Sequence, residues 1–223
     1  MTSDTSRRDR SRTRERPSLG DALGAPGAVL VIVSGPSGVG KDSVIEALRA
    51  EPRVPDFEYV VTCTTRPRRP YEVDGIHYRF LSLEEFTHLR DAGELLEANE
   101  VHGNWYGTPR SAVLDALLAG HDVILKIDVQ GAAVVKQRVP DALLIFLVPP
   151  SLEDLFQRLQ SRATESADEL DIRQRNAALE LARQDDYDHV VVNETGQIGR
   201  TAARIQAIVA AEKADHPHRR TRI

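Results

Sequence analysis

One segment near the start of the chain restricts its fold more than any other: a glycine-rich turn between two apolar runs. Residues 29–33 (VLVIV) are apolar and mostly β-branched, which is typical of a buried parallel strand. Residues 34–43 (SGPSGVGKDS) follow, and the apolar residues of 44–48 recur at helical spacing. In this order, the backbone N–H groups of the turn and the N-terminus of the helix surround one point, where they attract an anion.

The residue types of the turn indicate that the anion is a phosphate. Its glycines let the backbone fold around a ligand, and Lys41 adds an ammonium that can reach the β- and γ-phosphates of a nucleotide. We therefore predict a P-loop that binds ATP through Gly35, Pro36, Ser37, Gly38, Val39, Gly40, Lys41, Asp42 and Ser43. The alternative is a glycine-rich turn that holds no nucleotide.

The residue after Lys41 departs from the P-loop pattern, which calls for Ser or Thr as a ligand of Mg²⁺. Here the position holds Asp42, and Ser43 follows it. A carboxylate is a good Mg²⁺ ligand, so we predict that Asp42 serves the Mg²⁺ bound with ATP. The alternative ligand is Ser43, although neighbouring helix positions differ by about 100° in direction.

Size and charge limit the classes of protein to be considered. At 223 residues the chain suits one α/β domain with an insertion. A net charge of -5 gives no basic field that would attract nucleic acid, and no apolar run approaches the roughly 18 residues that span a bilayer. Cys63 is the single cysteine, which is compatible with a reducing compartment. We predict a cytoplasmic protein, a monomer or weak homodimer, without nucleic-acid or membrane partners.

The two ends of the chain differ in composition from its middle. Residues 1–26 combine six arginines with Ser, Thr, Asp and Glu and then Gly and Pro, without the apolar region of a secretory signal. This composition predicts a disordered extension. Residues 213–223 are basic and contain a proline, so we predict a flexible tail.

Strands and helices alternate along the middle of the chain, which predicts a parallel sheet flanked by helices. The predicted core consists of residues 27–58, 109–157 and 187–212, and residues 59–108 form a β-rich insertion. Within the insertion, the composition predicts a strand over 59–65, a helix over 82–92 that starts with a capping box, and a next helix capped by Thr108.

Two predicted core strands end in polar residues at the same edge of the sheet as the P-loop. Asp128 follows the apolar residues 123–127, and Asn193 follows residues 190–192. An acid at the carboxyl end of a parallel strand beside a P-loop lies where Mg²⁺ sits in nucleotide enzymes. We therefore predict that Asp128 serves the metal, directly or through water.

Longer motifs resemble the guanylate kinase family over about residues 28–212. They comprise the P-loop, Thr64-Thr65-Arg66-Pro67-Arg68-Arg69, Glu72-Val73-Asp74-Gly75-Ile76-His77-Tyr78, Gly103 to Thr108 and Ile127 to Gly131. The resemblance implies an α/β P-loop NTPase fold with a parallel core sheet, a small β-rich GMP-binding insertion and a short helical lid over residues 158–186. It also implies that ATP phosphorylates GMP to GDP in purine metabolism.

The resemblance further implies roles for individual residues. Glu97 would accept hydrogen bonds from guanine, and Asn193 would lie near adenine. The residues that would bind GMP are Thr62, Arg66, Arg69, Glu72, Tyr78, Glu97, Tyr106, Gly107, Thr108 and Asp128. Those that would stabilise charge on the transferred phosphoryl group are Lys41, Arg158, Arg162 and Arg173, with Arg175 competing with Arg173 for its position.

Two other functions are compatible with parts of this pattern. Ribose 1,5-bisphosphate phosphokinases resemble guanylate kinases and can carry a Gly-Lys-Asp-Ser P-loop, but the set Arg66, Arg69, Tyr78 and Glu97 argues against them. A guanylate-kinase-like module that binds proteins without catalysis is the other alternative. Such modules lose the P-loop lysine and the lid arginines, which this chain retains.

Overall fold

The computed structural model describes residues 22–50, 57–101, 103–161 and 167–223. The strands in these ranges are β1 (Leu30–Ser34), β2 (Phe57–Tyr59), β3 (Cys63–Thr64), β4 (Arg79–Phe80), β5 (Leu95–Val101), β6 (Asn104–Pro109), β7 (Asp122–Lys126), β8 (Leu143–Val148) and β9 (His189–Val192). The helices are α1 (Lys41–Ala50), α2 (Leu83–Asp91), α3 (Arg110–Ala119), α4 (Val129–Arg138), α5 (Leu152–Ser161), α6 (Ala167–Leu181) and α7 (Ile198–Asp215).

A parallel sheet of five strands, in the order β2-β7-β1-β8-β9, forms the centre of the molecule. β1 lies in the middle of this sheet, and its five residues are all buried. Its side chains alternate between the faces: Val31 and Val33 join one apolar cluster, and Leu30 and Ile32 join the other. The predicted α/β fold class is therefore confirmed.

Helices cover both faces of the sheet. On one face, α1, α5, α6 and α7 contribute apolar side chains such as Leu48, Leu155 and Ile205. On the other face, α3 and α4 contribute residues that include Leu117 and Val135. The carboxyl ends of the strands lie between these two layers of helices, which is where open α/β sheets bind ligands.

The strand predicted over residues 59–65 is divided between two sheets. Phe57–Tyr59 pairs with β7 in the core, whereas Cys63–Thr64 pairs with β4 and β6 in a second sheet of order β4-β3-β6-β5. Phe86 of α2 is fully buried against this second sheet, beside Cys63 and Leu95. A single apolar run thus leads the chain out of the core and into the insertion.

Thr108 does not cap a helix, contrary to the prediction. β6 continues to Pro109, α3 begins at Arg110, and no side chain caps its first turn. The hydroxyl of Thr108 instead donates to Glu97 Oε1 at 2.6 Å. The residue before a proline favours an extended backbone, which keeps Thr108 in the strand.

The C-terminal residues are packed rather than flexible, which corrects the prediction for 213–223. α7 extends to Asp215, and Thr221 and Ile223 are buried. Ile223 N donates to Ala22 O at 2.9 Å, and Gly24 N donates to Thr221 O at 2.9 Å. Residues 22–26 of the predicted extension therefore belong to the folded domain, whereas residues 1–21 lie outside the described residues.

Two helices follow β8 where the lid was expected. α5 begins after Ser151, whose hydroxyl accepts from the Asp154 N–H at 3.0 Å and so caps the first turn. Within the expected lid of residues 158–186, α6 runs over Ala167–Leu181 and is followed by a 3₁₀ turn at Gln184–Asp186. Among the helices that the structure describes, none is both long and apolar enough to cross a membrane.

Candidate active site

The glycine-rich turn of residues 35–40 adopts a shape that its glycines alone permit. Gly35 has φ 142° and Gly40 has φ 103°, in the region that other residues rarely adopt. A Cβ atom on Gly40 would lie 2.6 Å from Asn193 Nδ2, and one on Gly35 would collide with the Leu147 carbonyl of β8. The turn is thus pressed against the carboxyl ends of β8 and β9.

Two residues that follow the core strands hold this turn in place. Asn193 is buried and donates from Nδ2 to Val39 O at 2.8 Å, while its Oδ1 accepts from the Thr201 hydroxyl at 3.0 Å. Arg158 of α5 donates to Val39 O and to Asn193 O, each at 2.9 Å. Asn193 was predicted at the ATP site, and Arg158 was predicted to stabilise charge on the transferred phosphoryl group; both contact the loop. The predicted position of Asn193 beside adenine stays a prediction.

Anionic and cationic side chains already meet at the turn. Lys41 Nζ donates to Gly35 O at 2.6 Å and to Pro36 O at 3.1 Å. Burial lowers the pKa of Lys41, against the opposing effect of Glu180, Asp42 and Asp128. Glu180 of α6 accepts from the Ser37 N–H at 2.8 Å, so one backbone donor of the turn is bound to a carboxylate.

An ion pair joins the start of α1 to the end of β7. Lys126 Nζ lies 2.5 Å from Asp42 Oδ1, and it also lies 4.8 Å from the centre of the Tyr78 ring. Burial lowers the pKa of Lys126, but its interactions with Tyr78 and Asp42 outweigh that effect and raise it. Lys126 is therefore a charged ammonium between the P-loop helix and the second sheet.

A cluster of arginine and tyrosine side chains forms the facing wall. The Arg66 guanidinium lies 5.7 Å from the centre of the Tyr78 ring, and Tyr78 packs edge-to-face on Tyr106 with ring centres 6.0 Å apart. Buried Glu72 binds Arg66 Nη2 at 2.7 Å and accepts from Arg69 N at 2.7 Å. Burial raises the pKa of Glu72, but these bonds dominate and hold it below its usual value.

A buried carboxylate lies between the second sheet and α4. Glu97 of β5 is 2 % exposed and accepts from the Thr108 hydroxyl at 2.6 Å and from Asn99 Nδ2 at 2.7 Å. Burial raises the pKa of Glu97 to about 7 despite these two bonds. A Cβ atom on Gly131 of α4 would lie 3.1 Å from Glu97 Oε2, so the absence of a side chain there admits the carboxylate.

The remaining predicted residues are placed around these groups. Asp128 caps α4 by accepting from Gly131 N at 2.7 Å. The Arg69 side chain is exposed and donates to Tyr71 Oη at 3.1 Å. Arg173 lies half-buried on α6, whereas its competitor Arg175 is 75 % exposed and pairs with Asp171. Arg162 lies outside the described residues.

The family follows from comparison with known proteins. The guanylate kinase family model matches residues 28–212, which include the P-loop, the Arg66 loop and Glu97. This chain belongs to the guanylate kinase family.

Individual members of the guanylate kinase family resemble this chain over most of its length. A guanylate kinase of Symbiobacterium thermophilum is 46 % identical over 189 residues, which cover 85 % of this chain and 88 % of the relative. A guanylate kinase of Desulfitobacterium hafniense is 45 % identical over 185 residues, with 83 % and 90 % covered. The crystal structure of a guanylate kinase from Anaplasma phagocytophilum superimposes with a TM-score of 0.69 at 34 % identity, covering 88 % of this chain and 91 % of that one.

Sequence reasoning missed Asn99 and Glu180, and it assigned no role to Lys126. Asn99 stands two residues after Glu97 on one strand, so period-two spacing could have placed both on the same face. Glu180 carried no signal, since an acid on a polar helix is ordinary. Its contact with Ser37 depends on how α6 packs against the core.

Proposed function

We propose that this chain transfers the γ-phosphoryl group of ATP to GMP, giving ADP and GDP. The observation that carries the proposal is the buried carboxylate of Glu97 on the second sheet, which lies against Gly131 of α4. Asp128 acts on the pKa of both Glu97 and the P-loop residue Lys41, so the carboxylate lies near the P-loop. Two anion-binding regions and a buried acceptor suit two nucleotides, one of which presents hydrogen-bond donors on its base. Membership in the guanylate kinase family supports the same reaction.

Guanine fits the environment of Glu97 better than adenine does. Guanine N1–H and N2–H₂ form a pair of adjacent donors, and an ionised carboxylate accepts from both. Adenine lacks this pair and would leave buried acceptor positions of the carboxylate unpaired, which is unfavourable. Thr108 and Gly107 lie on β6, which pairs with the strand of Glu97. Thr62 directly precedes β3, which also pairs with β6. These residues would complete the base site.

The phosphate of GMP would bind to the cluster on the second sheet. Arg66 and Arg69 offer forked guanidinium donors, and Tyr78 and Tyr106 offer hydroxyl groups, which together suit phosphate oxygens. Glu72 binds the Arg66 side chain and the Arg69 backbone N–H. Its role in this site is therefore to hold residues 66–72, the arginine loop, in place. Asp128, close to Glu97, would border the base.

Positively charged side chains would then surround the phosphoryl group that is transferred. The P-loop amides and Lys41 would hold the ATP phosphates, while Arg158, Arg162 and Arg173 would approach from the lid. Such groups accelerate an in-line transfer because they are positioned before the reaction and stabilise charge as it spreads over the phosphoryl oxygens. No covalent intermediate with the protein is required.

A divalent metal fits this site when it is bound with ATP. Among the described residues there is no cluster of three or more His, Cys, Asp and Glu side chains that would hold a metal by itself. The carboxylates of Asp42 and Asp128 both act on the pKa of Lys41, so they lie near the phosphate-binding lysine. They would serve Mg²⁺, which takes few protein ligands and neutralises phosphate charge when bound.

A coupled assay of ADP release tests the proposed function. With GMP, AMP, CMP and UMP as acceptors, we expect turnover with GMP and at least about 100-fold lower kcat/KM with the others, because a site built to bond a substrate donor strongly rejects analogues without it. Ribose 1,5-bisphosphate is the acceptor that tests the related phosphokinase. Preference for that acceptor, or no ADP release with any of them, would contradict the proposal.

A further inference from the structure

We propose that Lys126 is a binding residue for the phosphate of the monophosphate substrate, and that Asp42 competes with that phosphate for its ammonium. The proposal rests on the proposed function for the identity of the substrate. It concerns a lysine to which the sequence assigned no role in the site, at the end of a core strand that also leads to Asp128.

The position of Lys126 is the first support. Its ammonium lies 4.8 Å from the Tyr78 ring centre, and Tyr78 in turn packs beside Arg66 and Tyr106. Lys126 therefore extends the cationic cluster from the second sheet to the end of β7. A phosphate bound by Arg66 and Tyr78 lies within the reach of a flexible lysine side chain.

The ion pair with Asp42 accounts for only part of this arrangement. The Asp42 side chain is 61 % exposed, so water solvates it well, whereas the Lys126 side chain is only 20 % exposed. A pair that involves an exposed carboxylate gains about 0–1 kcal/mol. The buried ammonium of Lys126 also depends on Tyr78, which belongs to the proposed phosphate cluster. A phosphate with two negative charges gives a stronger reason to place the lysine there.

The proximity of a second ammonium points to the same ligand. Lys126 and Lys41 are close enough that Lys126 contributes to lowering the pKa of Lys41. Two like charges at one edge of the sheet repel each other, and anions between them remove that cost. In the absence of substrate, Asp42 and Asp128 supply part of this negative charge. With both nucleotides bound, phosphates would supply it.

Calorimetry with GMP and guanosine, without ATP or divalent metal, isolates the phosphate contact. Lys126→Gln removes the charge and keeps a polar side chain. We expect its affinity for GMP to fall roughly ten- to hundred-fold, the range for loss of a hydrogen bond to a charged group, while its affinity for guanosine stays unchanged. Lys136→Gln is the matched control, because Lys136 lies on α4 in an ion pair with Asp188 and outside the site.

Asp42→Asn tests the competition, because it predicts a change of opposite sign. Removing the carboxylate frees the ammonium, so GMP should bind up to roughly five-fold more tightly than to the wild type, while Lys126→Gln in the same chain should abolish that gain. Equal losses for GMP and guanosine, or no loss for either, would overturn the role of Lys126. If the wild type itself binds no GMP, the proposed function fails. If the wild type phosphorylates GMP and the variants bind GMP with the same affinity as the wild type, the Lys126 inference alone fails.

Discussion

The P-loop and the arginine loop of residues 66–72, which we propose to bind the phosphates of ATP and GMP, are held in different ways. The P-loop is fixed by distant parts of the chain: Val39 O accepts from Arg158 and Asn193, which are 119 and 154 residues away. The arginine loop is fixed by its own residues, since Arg66, Arg68 and the Arg69 backbone all bond to Glu72 within six positions. The ATP loop is therefore built by the core, whereas the monophosphate loop is built locally.

This difference teaches which changes each loop can tolerate. A loop that is held by core residues loses its conformation only when those core contacts are removed. Removing them also lowers the unfolding free energy of the whole protein. A loop that depends on local bonds near the surface can rearrange around a ligand without unfolding the protein. Substitutions in the first loop should affect stability and ATP together, and those in the second should affect GMP alone.

The largest effect is expected from Lys41→Ala in the P-loop. Loss of the ammonium at the ATP phosphates should lower kcat by about 10²–10³-fold, the size seen when one group that stabilises transition-state charge is removed. GMP affinity should persist, because the GMP cluster is built from other elements. The measurements are initial rates and GMP titration by calorimetry, and a comparable loss of GMP affinity would mean that the loops form one site.

Glu97→Gln should weaken GMP binding by about 1–3 kcal/mol, because the amide leaves a buried guanine donor badly paired. The wild-type affinity should also fall as pH decreases below about 7, since burial raises the pKa of Glu97 to about 7 and the protonated acid loses an acceptor. Titrations at pH 6, 7 and 8 check this, with the Gln variant as the control for titration of the phosphate. A pH profile shared by both proteins would separate Glu97 from guanine.

The same carboxylate should make the ligand-free protein less stable at high pH. Because its pKa in the folded protein is about 7 and the ordinary value is 4.5, the folded state binds more protons between these values, so stability falls as pH rises through this range. Above pH 7, the ionised Glu97 lowers the unfolding free energy by at most about 3 kcal/mol, and Glu97→Gln should restore part of this loss. Urea unfolding at pH 5 and pH 8 measures this, and a gain that is equal at both pH values would contradict it.

A matched pair of variants compares the two loops directly. Asn193→Ala removes the buried bond to Val39 O and the shorter of the two bonds that the Thr201 hydroxyl makes, so we expect about 1–3 kcal/mol lower unfolding free energy and a higher KM for ATP. Arg69→Gln changes an exposed side chain, so stability should stay within about 0.5 kcal/mol while KM for GMP rises. Equal destabilisation by both variants would remove the distinction between the loops.

The smallest effects are expected from truncation of the N-terminus, which contains no residue of either loop and so serves as a control for the loop variants. Removal of residues 1–21 should leave activity and stability nearly unchanged, because no predicted site residue lies there. Removal of residues 1–26 should cost stability, since it deletes the bonds from Ala22 and Gly24 to the C-terminal residues. Thermal unfolding of the two truncated proteins measures the difference, and identical melting temperatures would show that these bonds contribute nothing.

Local signals predicted most of the elements and failed where one run serves two sheets. The P-loop strand, the capping box at Ser82 and the strands before Asp128 and Asn193 are confirmed in the structure. The strand over 59–65 was predicted as one element, because its composition is uniform and the partners β7 and β6, which divide it between two sheets, lie more than 40 residues away. Thr108 was predicted as a cap for a similar reason, since its partner Glu97 is on another strand.

The sequence by itself determined the phosphate-binding turn, the alternation that builds a parallel sheet, and the residue types that bind nucleotides, because these depend on backbone conformation and side-chain chemistry within short segments. Only the tertiary structure decided which groups from distant segments come into contact. It brought Glu180 to the P-loop, Lys126 between Asp42 and Tyr78, and Ile223 to Ala22. The physical reason is that these contacts form between segments distant in the chain, and packing of the core fixes the directions from which they approach.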